Sequence, residues 1–504
     1  MVIIDLGSQY TLIIERELKK IGLRSIILPP EKALAYVTAQ PPLGIILSGG
    51  SASVHDADAP QLPKELLYQG IPILGICYGM QWIAHMLAPH SVSGNHVSNK
   101  EYGPTEITHN GSALFADVAS PLSVWASHGD SVTCTPYGFF KTAASNEDTT
   151  IQAISYFARP IYGVQFHPEV IETKDDNQIL KNFAYAICKC ENDWSDTDTL
   201  IEIENQLREQ IGTDTAILGV SGGVDSMVVA AIAAKVLGDR LHAFLIDGGN
   251  MREGEVAETQ KIAAEIGISL TVIDARDRFI QLISQTIDAE QKRAYFKKVY
   301  QEIFMEQIEN SGAKFVLQGT LATDLIESGS AGGSAHIKSH HNVGLKFGLE
   351  EITPLKNLFK HEVRELARML GLPDSIAQRQ PFPGPGLFIR VIGTPVSAEN
   401  LEMVRFADAV VKDILTQHGV YNQISQTVVV LIGTNTVGIK GDGRVYGPSI
   451  AIRTVSTTDF MTVDSFEIPF AIRRELISTI TKHPGIIRVW FDETPKPPAT
   501  TEFE

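Results

Sequence analysis

Cysteine is scarce in this chain: four in 504 residues, at positions 77, 134, 188 and 190. That is too few and too scattered for a disulfide framework. Cys188-x-Cys190 has neither neighbouring histidines nor a second pair at zinc spacing, and a reducing, cytoplasmic setting is expected. Long apolar runs are also lacking. None approaches the roughly 20 residues that cross a bilayer, so no membrane contact is expected. The opening MVIIDLGSQY has no basic segment ahead of its apolar residues and reads as a strand, not an export signal. Positive charge is short, with 42 Lys and Arg against 59 Asp and Glu, a net charge of −17. A broad nucleic-acid surface needs clustered cations, so nucleic acid is not an expected partner, whereas a small anion held by a few local cations is allowed. Internal repeats, low-complexity tracts and the Walker signature GxxxxGK[ST] are absent.

What is present is length and rhythm. A chain of 504 residues exceeds what one hydrophobic core serves, so two or three domains are expected. Apolar runs at 2–6, 24–28, 44–47, 71–76 and 161–166 alternate with helical patterns, which predicts a parallel sheet covered on both faces. A helix over 175–188 leads into the polar segment ENDWSDTDT at 191–199, a natural boundary. A second series of the same rhythm places strands at 215–220, 241–246, 270–273 and 314–318. After QPFPGPGL (380–387), where proline and glycine forbid regular structure, helices near 397–418 and 470–482 mix with strands at 427–432, 449–455 and 486–491. The expected fold is α/β: two doubly wound parallel-sheet domains, 1–190 and 200–380, followed by a smaller α+β domain, 381–504.

Three pieces of chemistry fall in the first domain. Gly75-Ile76-Cys77-Tyr78-Gly79 follows a strand and opens a helix, the form of a nucleophile elbow with Cys as the nucleophile. A thiol at a helix N-terminus gains thiolate character, although an isolated buried cysteine is as readily a core residue. His167-Pro168-Glu169 ends another strand, and residues two apart in an extended segment face the same side. That allows a base oriented by a carboxylate; taken alone, the tripeptide reads more readily as a loop histidine beside a solvated glutamate. Ser48-Gly49-Gly50 is a turn able to aim backbone N–H groups at an oxyanion. All three stand at the C-terminal ends of strands, where open α/β sheets keep their ligands. In the order SGG, GICYGMQ, GVQFHPE, they resemble the class I glutamine amidotransferase domain over residues 1–188. The resemblance implies Cys77 as nucleophile, His167 as general base, Glu169 as its orienter, and an oxyanion hole at Gly50 and Tyr78. Ser51 stands where that family often has proline.

The second series carries Ser221-Gly222-Gly223-Val224-Asp225-Ser226 between a strand and an Ala/Val-rich helix. Small residues let N–H groups close around phosphate oxygens at a helix N-terminus, and an acid there can hold Mg²⁺. SGGVDS resembles the loop of ATP pyrophosphatases, which cleave ATP between the α- and β-phosphates. This implies ATP contacts from Ser221, Gly222, Gly223, Val224 and Ser226, Mg²⁺ on Asp225, and further ATP contacts at Asp247 and Gly319. Enzymes that thiolate tRNA share such loops, but the acidic balance and the glutaminase motifs count against them.

Later motifs narrow the resemblance: QGTLATDLIES (318–328), KSHHNVG (338–344), RQPFPGPGL (379–387), GDGR (441–444) and KPPATTEFE (496–504). Together with the two domains above they resemble the GMP synthase family along essentially the whole chain. The resemblance implies glutamine, ATP and XMP as small-molecule partners and Mg²⁺ as cofactor. It implies an adenylated XMP intermediate with release of AMP and pyrophosphate, and a homodimer through the C-terminal domain. It also implies XMP contacts at Lys338, His340, His341, Arg444, Lys496 and Glu502. Phe503 replaces the family's usual tryptophan. Lys356, Lys360 and Arg364 read as a solvated helix face and are given no role.

Overall fold

In the computed structural model, which describes residues 1–93, 101–145, 150–170, 172–321, 348–457 and 463–504, the first apolar runs become parallel strands. These are β1 (Val2–Ile4), β2 (Ile26–Leu28), β3 (Ile45–Leu47) and β4 (Ile73–Ile76). Their alternate residues enter different cores: Val2, Ile4, Ile45 and Leu47 pack on one side, and Ile3, Ile46, Leu74 and Ile76 on the other. Burial on both faces is why these strands read as continuous apolar runs rather than as an alternating pattern. The chain divides into two units, Met1–Thr199 and Leu200–Glu504.

In the first unit the remaining strands are β5 (Val92–Ser93), β6 (Glu101–His109), β7 (Leu122–His128), β8 (Ser131–Val132), β9 (Phe139–Ser145), β10 (Thr150–Tyr156) and β11 (Ile161–Val164). Among the described residues the main sheet runs β2-β1-β3-β4-β11-β10-β9-β6-β7, and β5 pairs with β8 apart from it. The β2-to-β11 half is parallel, and the strands beyond β11 are antiparallel. The sheet is therefore doubly wound and parallel as expected near the motifs, and it carries an antiparallel extension that the sequence pattern did not announce.

The second unit contains two sheets. The first is parallel, β14-β13-β12-β15-β16, built from β12 (Ala216–Gly219), β13 (Leu241–Asp247), β14 (Leu270–Asp274), β15 (Phe315–Leu317) and β16 (Glu350–Ile352). Ala216 and Leu218 face the helix Val224–Leu237, and Ile217 faces Phe244 and Phe304. The second sheet joins β17 (Val391–Ile392), β18 (Gln426–Lys440), β19 (Gly443–Ser456) and β20 (Asp464–Ser465), with β21 (Arg488–Asp492) parallel to β19. The β18–β19 hairpin turns at Gly441-Asp442, both at positive φ, the backbone of a tight two-residue turn. Val429 and Leu431 pack toward the helices Ala398–Gln417 and Phe470–Ile480, while Val428 and Val430 face the other way, where Phe503 lies against them. Among the described residues no helix is long and apolar enough to cross a membrane.

Candidate functional site

The elbow is built by close approach. A Cβ on Gly75 would lie 2.6 Å from the Gly79 carbonyl group, and one on Gly79 would lie 2.6 Å from the Leu47 carbonyl oxygen. Glycine at both positions lets the helix Tyr78–Leu87 start directly against the sheet. Between them Cys77 sits at φ 50°, ψ −105°, a backbone state that costs a non-glycine residue about 1–3 kcal/mol and persists only where the surroundings impose it. The Gly79 amide donates to the Ser48 carbonyl at 3.1 Å, which ties the SGG turn to the elbow. Tyr78 is the first residue of its helix, so its amide is one that the helix leaves without an internal partner. The Gly50 amide makes no hydrogen bond among the described residues, and the Gly50 backbone abuts the Tyr78 ring. Tyr78 directly follows the nucleophile, and the Gly50 turn packs on the Tyr78 ring.

β11 closes at Val164, earlier than the sequence suggested, and a bend carries His167 forward. The bend is fixed by β7: the His167 amide donates to the Trp125 carbonyl at 3.0 Å, and Thr173 bridges Trp125 N and His167 O at 3.1 and 2.6 Å. The His167 Nδ1 lies 2.7 Å from Glu169 Oε1, and the ring is close enough to Cys77 to feel its charge. Burial opposes a charged imidazole here, but the Glu169 carboxylate and Cys77 together outweigh it, and the His167 pKa stands well above its ordinary value. Such a site favours the protonated imidazole.

In the second unit the loop after β12 closes on itself. Ser226 Oγ accepts from the Ser221 amide at 3.2 Å and donates to the Gly223 carbonyl at 3.0 Å, and the Ser221 and Ser226 hydroxyls lie 3.1 Å apart. Val224, Asp225 and Ser226 form the first turn of the helix Val224–Leu237. Gly319 packs against Asp225 and Ser226, where a Cβ would come within 3.2 Å. Asp247 ends β13, the strand next to β12, and accepts from the Gly249 amide at 2.9 Å. Lys360 Nζ donates to both Asp225 carboxylate oxygens, at 2.9 and 2.6 Å. The sequence had placed Lys360 on a solvated face.

Glu502 accepts from Arg390 Nη2 at 3.1 Å and from Gln426 Nε2 at 2.8 Å. The Lys496 backbone pairs with Val463, so the chain end is held against the fold. Arg444 is exposed near the hairpin tip. β21 tracks β19 as far as Arg453↔Asp492, which puts Lys496 beyond the Arg453 end; the nine residues from Arg444 to Arg453 span roughly 30 Å. One chain does not bring Arg444 to the tail. Lys338, His340 and His341 lie outside the described residues.

Three family models match the chain: glutamine amidotransferase class-I over residues 2–187, NAD synthase over 198–316, and GMP synthase C terminal domain over 413–503. The glutamine-hydrolysing GMP synthase of Ligilactobacillus salivarius is 40% identical over 516 residues, covering 100% of this chain and 98% of that protein. The enzymes of the same name from Mycobacterium tuberculosis (40%, covering 100% and 97%) and Thermobifida fusca (40%, covering 100% and 98%) agree along the same length. The chain belongs to the glutamine-hydrolysing GMP synthase family. It is a ligase whose amidotransferase and ATP-using parts together serve glutamine-dependent GMP synthesis.

Seen as a GMP synthase, the structure adds residues that the motifs contained without marking. Gln165 Nε2 donates to Cys77 Sγ at 3.7 Å, Gln81 Nε2 approaches Gln165 Oε1 at 3.4 Å and donates to the Asp130 carbonyl at 2.9 Å, and the Ser127 carbonyl lies 3.7 Å from Cys77 Sγ. Both glutamines stand inside the quoted GICYGMQ and GVQFHPE and are buried. A buried amide must have partners, so the signal was available in glutamine at positions where an apolar residue would otherwise fit. Arg379, in RQPFPGPGL, donates to the Gly222 carbonyl at 2.5 Å.

Proposed function

We propose that Cys77 releases ammonia from glutamine while the Ser221–Ser226 loop uses ATP to activate XMP for amination. In the first half the Cys77 thiolate adds to the glutamine carboxamide carbon, and the Gly50 and Tyr78 amides receive the oxyanion. The His167 imidazolium gives its proton to the departing ammonia, and then, as a base held by Glu169, draws a proton from the water that cleaves the thioester. Gln165, donating to sulfur, stabilises the thiolate between turnovers.

In the second half the amides and hydroxyls of Ser221, Gly222, Gly223, Val224 and Ser226 hold the leaving pyrophosphate, with Asp247 and Gly319 lining the same edge of the sheet. The XMP O2 attacks the α-phosphorus and pyrophosphate leaves; ammonia then attacks the adenylated carbon and AMP leaves. The chemical logic is the conversion of a poor oxide leaving group into a phosphate ester. Asp225 supplies a hard carboxylate in the first turn of the loop's helix, and Mg²⁺ commonly binds one or two carboxylates plus substrate phosphates; among the described residues no cluster of three or more protein ligands competes for it. When bound, Mg²⁺ screens the separating anions. Lys360, now on Asp225, is placed to follow the phosphates when the metal takes the carboxylate.

Lys496 and Glu502 are the tail's contacts to XMP, with Lys338, His340 and His341 as further contacts from the sequence. Arg444 contacts XMP only if a second copy presents it, which fits a homodimer through the C-terminal sheet, whose hairpin leaves Ile439 81% and Tyr446 64% exposed. A cytoplasmic setting completes the reading. The observation that carries it is the His167 imidazole held between Cys77 and Glu169 in a chain that also bears SGGVDS. An assay with ATP, Mg²⁺ and glutamine, offering XMP, UTP or tRNA as acceptor, tests it: AMP and an aminated product with XMP alone are expected, and product from either other acceptor contradicts it.

A further inference from the structure

Five charged residues, joined by side-chain ion pairs and at one step by the Arg252 backbone amide, link the Ser221–Ser226 loop to the C-terminal tail through the interior of the second unit. Arg379 Nη1 donates to the Gly222 carbonyl at 2.5 Å, and its Nη2 pairs with Glu255 Oε1. Glu255 Oε2 accepts from the Arg252 amide at 3.0 Å. Arg252 Nε lies 3.1 Å from Asp408 Oδ2, and Asp408 Oδ1 lies 3.2 Å from Arg390 Nη1. Arg390 Nη2 reaches Glu502 Oε1 at 3.1 Å. The Phe382 ring stands between the guanidinium groups of Arg252 and Arg390, 4.4 and 4.8 Å from them. Gly222 has φ +76°, and a Cβ there would meet Arg379 Nη1 at 2.9 Å and Thr259 Oγ1 at 2.8 Å. The loop backbone is thus shaped to receive the arginine.

Four of these five side chains are nine-tenths or more buried: Glu255, Arg252, Asp408 and Arg390, the last with no exposure at all. A buried ion is tolerated only beside its counter-ion, and removal of one partner leaves the other uncompensated. Signs alternate along the chain, and because Glu255 meets Arg252 through its backbone amide, a shift of the Arg252 segment disturbs both that hydrogen bond and the pair with Asp408. The spacing gives the arrangement a purpose that packing alone does not require. It begins on the carbonyl of the loop proposed to hold phosphate and ends on the carboxylate of the tail proposed to contact XMP.

We propose that Arg379, Glu255, Arg252, Asp408 and Arg390 are positioning residues that couple the setting of the phosphate loop to the setting of Glu502, so that nucleotide and XMP each tighten the binding of the other. Phosphate drawn onto the loop amides fixes the Gly222 carbonyl, hence Arg379 and Glu255, then the Arg252 backbone, and through Asp408 the Arg390 fork that aims Glu502. The coupling is reciprocal by linkage. The inference rests on the proposed reading of the loop as the ATP site and the tail as part of the XMP site.

The test is calorimetric titration of XMP into the full chain, with and without Mg²⁺ and a non-hydrolysable ATP analogue. In the unaltered chain the analogue is expected to tighten XMP binding about 5- to 150-fold, the usual span of coupling between sites. Asp408→Asn, which removes the central anion and touches no substrate, is expected to bring the ratio close to one, while Asp408→Glu restores part of it. A residue needed only for stability would lower the melting temperature and leave the ratio alone. An unaltered chain without any such ratio, or an Asp408→Asn chain that retains it, overturns the proposal. Should Asp408→Asn fail to fold, Arg390→Lys keeps the charge and loses the fork, and an undiminished ratio there overturns it equally. Lys496→Ala separates the two layers: if it weakens XMP binding while Asp408→Asn keeps the ratio, the site reading stands and the coupling fails. If Lys496→Ala leaves XMP binding unchanged, the site reading itself fails.

Discussion

The Lys360 ammonium lies 2.9 and 2.6 Å from the two carboxylate oxygens of Asp225. In the proposed reading Mg²⁺ and Lys360 compete for those oxygens, and the metal displaces at least one of the two lysine contacts. Asp225→Asn, a poor metal ligand, is therefore expected to stop AMP and pyrophosphate formation with either glutamine or ammonium as nitrogen donor. Basal glutaminase activity should survive, since its nucleophile belongs to the other unit. Quantifying AMP decides the matter; near-normal AMP would refute a metal role for Asp225.

The pairing of His167 with Glu169 predicts a pH signature. Burial works against the imidazolium, but Glu169 and Cys77 hold its pKa well above 6.5, so the folded chain keeps a proton that the unfolded chain releases near that pH. The resulting stability is fully present below about 6.5 and is lost as the pH rises through the raised pKa. Glu169→Gln removes the leading favourable charge. The stability gap between Glu169→Gln and the unaltered chain should be widest at low pH within this window and shrink as the pH climbs. Chemical denaturation across pH measures it, and a gap independent of pH would show that Glu169 does not stabilise a charged His167.

Much of this was legible because the motifs sit where local pattern and tertiary role coincide. Strands β1, β3 and β4 are buried on both faces, so they read as apolar runs, and the glycines beside Cys77 announce a turn that only close packing requires. β6 was not legible: EYGPTEITH largely alternates half-buried and exposed residues with only Ile107 buried, and its pairing with β7 and β9 depends on partners distant in sequence. The contact of Lys360 with Asp225 was not legible, because a half-exposed cation on an amphipathic helix has the same local pattern whether or not it reaches a carboxylate. Arg252, Glu255, Arg390 and Asp408 carry no sequence signal, since only the fold brings Arg252 to Asp408, more than a hundred residues away.

Gly75→Ala tests the elbow's geometry apart from its chemistry. The added Cβ would meet backbone atoms of Gly79 and Met80 at 2.6–2.7 Å, and backbone cannot swing aside as a side chain can. A destabilisation of about 1–3 kcal/mol is expected, together with loss of glutaminase activity. Thermal unfolding and a glutamate-release assay check both; a stable, fully active variant would show that the close approach is dispensable.

At the chain end, Lys496→Ala should raise the XMP dissociation constant about ten- to a hundredfold, the loss of one charge-assisted contact worth ~1.5–3 kcal/mol. Glutaminase activity should be unaffected. Calorimetry of XMP binding is the measurement, and unchanged affinity would move the search for the substrate site to Arg444 and residues 338–344.

The most direct test of the account is nitrogen-donor dependence in Cys77→Ala. If Cys77 only liberates ammonia while Ser221–Ser226 activates the acceptor, the variant makes no GMP from glutamine but makes it from added ammonium salts at the rate of the unaltered chain. Equal loss with both donors would contradict the division of labour, and show that Cys77 supports the fold or the synthetase site instead of supplying nitrogen.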